Sequence, residues 1–263
     1  MAGGSVLRRI GVDGPLDSTL ETLTRLQREF LLRVPFENLD IHLGRPISLD
    51  PERIRQKIVG QDRGGFCYEC NILFSVALRD IGFEVRLLSA RMATGPEVGP
   101  EFDHMVLLVS LEGDEYLVDV GNGRSARAPH RLGSDTESTA EGICYRIGRT
   151  HGHPALMERK PGADWEPRFL FDTTARRAAD FEAMCRYHQS SPDSHFTRQR
   201  FVTIATTDGR VTLAGNHLSI HGGGTTTERT LAGEEDYAVA LGTHFGITGV
   251  SFSSRKMGSG FEI

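Results

Sequence analysis

The hydrophobic periodicity of this chain changes near residue 83, from helical spacing before that point to strand-like runs after it. The earlier part predicts three helices, at residues 16–32, 50–60 and 66–81. The part that follows predicts strands at residues 85–88, 104–110 and 116–120, the last two joined as a hairpin around Gly113-Asp114. A chain that passes from helices to antiparallel strands is typical of an α+β fold.

The rest of the chain carries weaker signals. Only residues 144–147 and 169–171 suggest strands between residues 121 and 190. After that stretch, strands are expected at residues 201–205, 210–213 and 217–221, and a helix at residues 234–245. The last third is therefore expected to be a small α/β unit.

Composition narrows the class of protein. The chain has 263 residues, a net charge of −5, and 30 basic residues that are scattered rather than clustered, which argues against a nucleic-acid partner. Its apolar runs are far shorter than the ~18–20 residues that cross a bilayer, and its first residues lack the apolar core of a signal peptide. We therefore expect a cytoplasmic protein with no membrane partner, whose four cysteines are thiols.

Cys67 has the surroundings of a reactive cysteine. It follows Arg63-Gly64-Gly65-Phe66 and opens the third predicted helix, where the helix dipole favours a thiolate. A thiolate is what acyl transfer from a thioester requires. The alternative is a small core residue, which is the more common role of an isolated buried cysteine.

Cys67 and Cys70 also form a Cys-x-x-Cys pair, which is typical of redox proteins and of half a zinc site. The chain has no second pair to complete a zinc site, and the motif follows two helices rather than a strand. His151-Gly152-His153 lacks a third ligand nearby and is interpreted as a loop. No metal site is therefore predicted.

His104 and Asp119 are the candidate partners of Cys67, because they flank the open end of the predicted hairpin. A loop centred on Gly113-Asp114 sets Asp119 opposite Leu108 and His104 opposite Gly123. The two side chains then share a face but lie four residues apart, roughly 13 Å at ~3.3 Å per residue. A bulge or strong twist is needed to bring them together. Alternatively, they are a strand-end histidine and a solvated acid.

Four segments resemble the signature segments of arylamine N-acetyltransferases, in the same order and at similar spacings. They are Val34-Pro35-Phe36-Glu37-Asn38-Leu39-Asp40, Arg63-Gly64-Gly65-Phe66-Cys67-Tyr68-Glu69, His104-Met105-Val106-Leu107-Leu108-Val109 and Leu117-Val118-Asp119-Val120-Gly121. The resemblance implies a helical domain at residues 1–83, a β-barrel domain at 84–190 and an α/β lid domain at 191–263. It also implies a catalytic core like that of cysteine proteases.

The resemblance further implies a Cys-His-Asp triad of Cys67, His104 and Asp119 in a ping-pong acyltransferase. Acetyl-CoA would be the acyl-donor substrate, with no tightly bound cofactor, and a small arylamine or arylhydrazine would be the acceptor. Phe36 holds a position that lines the acceptor pocket in the family, although it also suits simple core packing. Asn122 stands where relatives carry an apolar residue facing the acceptor, unless Asn122-Gly123 only marks a tight turn.

Three alternatives stay open. Amide synthases that close macrolactams are similar to these enzymes and take their acyl group from an acyl carrier protein, and Asn122 favours weighing them. A cysteine protease or transglutaminase-like hydrolase would use the same triad but lacks other support. A non-catalytic binding protein with a relic site would not need all three triad residues.

Overall fold

The first part of the chain is helical. The computed structural model describes residues 2–95, 97–124 and 126–252. Its first five helices are α1 (Ala2–Arg9), α2 (Leu20–Arg33), α3 (Leu39–Leu43), α4 (Pro51–Arg55), which continues as a π-helical turn over Gln56–Gly60, and α5 (Cys67–Ile81). The three predicted helices are confirmed, and α1 and α3 are additional.

Local sequence sets the ends of these helices. The Thr19 hydroxyl accepts a hydrogen bond from the backbone N–H of Thr22 at the start of α2, and Asp50 caps α4 in the same way. Helix α5 ends at Gly82, whose φ of 112° lies in the left-handed region that favours glycine. The caps explain why pattern and structure agree here.

The middle of the chain forms a nine-stranded antiparallel sheet. Its strands are β2 (Glu84–Thr94), β3 (Glu97–Val98), β4 (His104–Leu111), β5 (Asp114–Val118), β6 (His130–Arg131), β7 (Ser138–Ala140), β8 (Ile143–Thr150), β9 (His153–Arg159) and β10 (Glu166–Phe171). They lie in the order β6-β5-β4-β2-β10-β9-β8-β7, with β3 beside β2. Strand β6 also contacts β8, so the sheet curls into a half-barrel.

A second sheet joins the two ends of the sequence. Strand β1 (Phe36–Glu37) pairs with β11 (Phe201–Ala205), followed in order by β12 (Gly209–Ala214), β13 (His217–Gly222) and β14 (Thr225–Thr230). The glycine run at 222–224 lies at the hairpin turn between β13 and β14, since Gly222 pairs with Thr225. Strand β1, from the N-terminal part of the sequence, is thus an edge strand of the sheet that the C-terminal part forms.

Three further helices complete the fold: α6 (Glu182–Ser190), α7 (His195–Arg198) and α8 (Glu234–Phe245). Helix α8 was predicted, whereas α6 lies in the stretch with weak signals. The expected mixture of helix and sheet is confirmed. Within the part of the chain that the structure describes, no helix is long and apolar enough to cross a membrane.

Candidate active site

Cys67 is the first residue of α5, where a tight crossing of two segments fixes it. The Gly65 N–H donates to the Pro35 carbonyl at 3.1 Å, and the Glu37 N–H donates to the Gly65 carbonyl at 3.0 Å. A side chain at Gly64 would collide with the Pro35 carbonyl, so this crossing requires glycine. Cys67 therefore lies at the wall of a cavity with only 4% of its surface exposed.

His104 and Asp119 lie in contact. Nε2 of His104, the first residue of β4, is 2.9 Å from Oδ2 of Asp119, which follows the end of β5, and both side chains are buried. His104 and Cys67 line the same cavity. With Nε2 engaged by the carboxylate, Nδ1 is the ring nitrogen left to exchange a proton with a thiol.

The predicted register of the β4–β5 hairpin is wrong. Leu111 pairs with Asp114, so the loop consists of Glu112 and Gly113, both with positive φ, 54° and 86°. Positive φ at both residues is the mark of a type I′ turn. The pairing is therefore shifted by two residues from the predicted one.

This shift removes the distance problem. Leu107 pairs with Val118, and continuing the register sets Asp119 beside Val106, two residues from His104. Side chains two residues apart on one face are roughly 7 Å apart along the strand, which a histidine and an aspartate span. No bulge is needed between them.

Asn71 ties the nucleophile's helix to the carboxylate. Its Nδ2 lies 3.1 Å from Oδ1 of Asp119 and 2.8 Å from the carbonyl of Met105, and its Oδ1 accepts from the Val120 N–H at 3.2 Å. Asn71 stands one turn after Cys67 on α5. Sequence reasoning missed it, although a polar residue four positions after Cys67 on an apolar helix was the available signal.

The electrostatics of the two acidic groups differ. Burial opposes ionisation of Asp119, but His104 and hydrogen bonds from Asn71 and Gly121 hold its pKa below the usual range. Burial raises the pKa of the Cys67 thiol well above its usual value. Burial thus opposes the effect expected of the helix start, and a proton acceptor for Cys67 is required.

A buried cluster of five charged residues supports the start of the helix that carries Cys67. Lys57 Nζ lies 2.7 Å from Glu69 and 2.8 Å from Asp40, and Arg63 Nη2 lies 2.6 Å from Glu37 and 3.0 Å from Asp40. Glu69 also accepts from the N–H of the residue before Cys67, at 2.8 Å. Burial opposes charge on Lys57, but Glu37, Glu69 and Asp40 raise its pKa.

The cavity has a volume of about 710 Å³ and an aromatic side. Phe36 lines it and packs against Phe66, Phe196 and Phe201, with ring centroids 5.6, 6.2 and 6.0 Å away. Phe36 thus belongs both to the core and to the cavity wall. Such a wall suits a flat aromatic ligand.

Asn122 also lines the cavity, and its neighbours are cationic. Its Oδ1 accepts from Arg168 Nη2 at 2.8 Å and from the backbone N–H of Arg124 at 3.2 Å. Asn122 therefore forms a turn with Arg124 and also positions the Arg168 guanidinium at the cavity wall.

The Cys67–Cys70 pair and His151-Gly152-His153 are the two sequence features that were weighed as metal sites. All four cysteines, Cys67, Cys70, Cys144 and Cys185, are free thiols. His151 and Gly152 are the turn between β8 and β9. Among residues 2–95, 97–124 and 126–252, no group of three or more His, Cys, Asp or Glu side chains is placed to hold a metal ion.

Comparisons with known proteins agree on one family. A family model described as N-acetyltransferase matches residues 19–251. The arylamine N-acetyltransferase of Mycolicibacterium smegmatis is 35% identical over 251 residues, which cover 93% of this chain and 91% of that protein.

Solved structures give the same result. The arylamine N-acetyltransferase from Salmonella typhimurium has a TM-score of 0.86 to this chain at 28% identity, covering 94% of this chain and 91% of that one. The Mycobacterium marinum arylamine N-acetyltransferase in complex with CoA has a TM-score of 0.84 at 31% identity, covering 93% and 92%. The similarity thus spans nearly the whole chain.

Proposed function

The chain belongs to the arylamine N-acetyltransferase family of enzymes, and on that premise we propose that it carries an acetyl group on Cys67. The acetyl group comes from acetyl-CoA and passes to the nitrogen of an arylamine or arylhydrazine, in a ping-pong reaction. The observation that carries this proposal is that His104, held by Asp119, lines one cavity with Cys67.

In the first half-reaction, Nδ1 of His104 takes the proton of the Cys67 thiol as the sulfur attacks the thioester carbonyl. This transfer is needed because burial raises the pKa of the Cys67 thiol. Asp119, whose pKa is lowered, stays ionised and stabilises the imidazolium that forms. The thiolate of CoA leaves with that proton, and Cys67 holds the acetyl group as a thioester.

In the second half-reaction, the lone pair of the acceptor nitrogen attacks the acetyl carbonyl. The nitrogen loses a proton to His104, the carbon–sulfur bond breaks with its electron pair on sulfur, and His104 returns the proton to regenerate the Cys67 thiol. Backbone N–H groups in the first turn of α5 have no intrahelical acceptor and can bind the oxyanion of each tetrahedral intermediate.

The shape and composition of the cavity support an aromatic acceptor. Phe36 and the rings around it provide a flat apolar wall beside Cys67. Phe36 and Asn122 are the proposed acceptor-binding residues, with Asn122 acting through Arg168. The CoA complex of the M. marinum relative supports acetyl-CoA as the donor.

The finer structural predictions belong to the same proposal. They are the helical, β-barrel and lid domains at residues 1–83, 84–190 and 191–263, the core resembling that of cysteine proteases, and the cytoplasmic location. The amide synthase alternative, with an acyl carrier protein as donor, is not favoured by the comparisons.

Intact-mass measurement after incubation with acetyl-CoA alone tests the proposal. The wild-type protein is expected to gain the mass of one acetyl group, and an arylamine is expected to remove it. Cys67→Ser should gain nothing, whereas Cys144→Ser, at a partly exposed cysteine, should behave as wild type. An adduct that persists in Cys67→Ser, or a wild-type protein that never gains one, contradicts the proposed nucleophile.

A further inference from the structure

The cavity contains a second pair of a carboxylate and an imidazole. Nε2 of His188 lies 3.3 Å from Oδ1 of Asp103 and 3.2 Å from the Asp103 carbonyl oxygen. Asp103 directly precedes His104, and both Asp103 and His188 line the cavity with Cys67. The side chain of His188 is 3% exposed and that of Asp103 is 16% exposed. This pair has no part in the reaction derived above.

His188 packs against both neighbours of the nucleophile. Its ring centroid lies 5.8 Å from that of Phe66 and 6.2 Å from that of Tyr68, the residues on either side of Cys67. The Tyr68 hydroxyl donates to the Phe102 carbonyl at 2.8 Å, which holds the segment leading into Asp103 against α5. The second pair is therefore fixed beside Cys67.

The charge of Asp103 acts on Cys67. Burial is the largest cause of the raised pKa of Cys67, followed by Cys185, Asp103 and Asp119. Burial also raises the pKa of Cys185 to about 12, so Cys185 is an uncharged thiol at neutral pH. Asp103 and Asp119 are thus the anions that oppose a thiolate at this position. Asp119 is held by His104, and Asp103 is held by His188.

The other titratable groups around the pair are few. Tyr68, Tyr187 and His195 face His188, and His188 lowers the pKa of His195, for which burial is the larger cause. These groups are two phenols and an imidazole, and none of them is a carboxylate. Asp103 is therefore the anion that the Nε2–H of His188 binds.

We propose that His188 is a positioning residue that holds the Asp103 carboxylate in a hydrogen bond and so limits its opposition to the Cys67 thiolate. The proposal rests on the proposed role of Cys67 as nucleophile. It assigns His188 no contact with substrate. Its effect on Cys67 passes entirely through the charge of Asp103, and this dependence is what the experiment measures.

The test is the pH dependence of Cys67 alkylation by iodoacetamide, with the alkylated residue located by peptide mass spectrometry. His188→Phe keeps the aromatic packing and removes the donor, so the pH midpoint should rise by about one unit, a tenfold loss of thiolate. Asp103→Asn should lower the midpoint by about one unit. His188→Gln, whose amide can still donate, should lie between wild type and His188→Phe.

The double variant decides the question. In Asp103→Asn/His188→Phe the midpoint should equal that of Asp103→Asn alone, because no carboxylate remains for His188 to hold. A His188→Phe shift of the same size in both backgrounds, or an unchanged midpoint in Asp103→Asn, overturns the inference.

A matched control is available at His130, a buried histidine in β6 that does not line this cavity. His130→Phe should leave the midpoint unchanged, and a shift there as large as that of His188→Phe also overturns the inference. Failure of the proposed function looks different. In that case the wild-type protein gains no acetyl group from acetyl-CoA in the intact-mass measurement, whatever the alkylation midpoints are.

Discussion

Nδ2 of Asn71 lies 3.1 Å from Oδ1 of Asp119, on the opposite carboxylate oxygen from the one that His104 binds. The Asp119 carboxylate is therefore held at both oxygens, by a side chain of the helix that carries Cys67 and by the imidazole of His104. This arrangement fixes the orientation of the proposed triad through a residue outside it.

Asn71→Ala should slow acetylation by about ten- to a hundredfold, because a hydrogen bond to a charged buried group contributes roughly 1.5–3 kcal/mol. The measurement is the rate of CoA release in a single turnover. Ser75→Ala is the matched control, since Ser75 is buried one turn further along α5 and bonds only within that part of the fold. An equal loss in both variants would mean that α5, and not Asp119, is disturbed.

Phe36→Leu should raise KM for an aryl acceptor several-fold while leaving the rate of acetylation by acetyl-CoA unchanged. The variant keeps apolar volume at the cavity wall but loses an aromatic surface, and aromatic pairs contribute about 0.5–1.5 kcal/mol beyond area burial. Steady-state kinetics with an arylamine, beside single-turnover acetylation, separates the two. A slower acetylation step would show that Phe36 contributes to general packing rather than to acceptor binding.

Lys57→Met should lower the free energy of unfolding by about 3–5 kcal/mol, because it leaves the buried carboxylates of Glu37, Asp40 and Glu69 short of a cation. Urea denaturation followed by circular dichroism measures the loss. Lys160→Met provides the comparison, since Lys160 is exposed. Similar stability for the two variants would show that Lys57 is not the counter-ion of the cluster.

His130 should make the protein less stable in mild acid. Burial lowers its pKa from 6.5 to about 4, so between these values the unfolded chain binds a proton that the folded one does not. Stability is complete above about pH 6.5 and falls as the pH approaches 4, by about 1.4 kcal/mol per unit and about 3 kcal/mol in all.

His130→Gln should flatten this decline, measured by urea denaturation at a series of pH values. His153→Gln, at an exposed histidine, should keep the wild-type slope. If the slope between pH 6.5 and 4 is the same with and without His130, another group titrates there.

The sequence predicted the parts of this protein that local chemistry decides. Thr19 and Asp50 cap two of the helices that the sequence predicts, and the glycines before Cys67 mark its tight crossing. The predicted hairpin register was wrong. A glutamate rarely adopts the positive φ that Glu112 has in the observed turn, so the sequence favours a turn at Gly113-Asp114 instead.

The remaining features depend on long-range contacts. Contacts with residues elsewhere in the sequence determine the roles of Asn71, Lys57 and His188. A single sequence does not reveal which polar residues meet. The half-barrel likewise includes short strands, such as His130–Arg131, that are too brief to leave a periodic signal.

The pairing of β1 with β11 has a consequence for folding while the chain is being synthesised on the ribosome. The Asn38 N–H donates to the Phe201 carbonyl at 3.2 Å, and the Asn38 side chain accepts from the Phe201 N–H at 2.7 Å. The segment beside Cys67 is therefore completed by residues made much later. Closing so long a loop is slow and comes late. We expect the nascent chain to remain without a complete acceptor wall, and therefore unable to bind an aryl acceptor, until most of its length has left the exit tunnel.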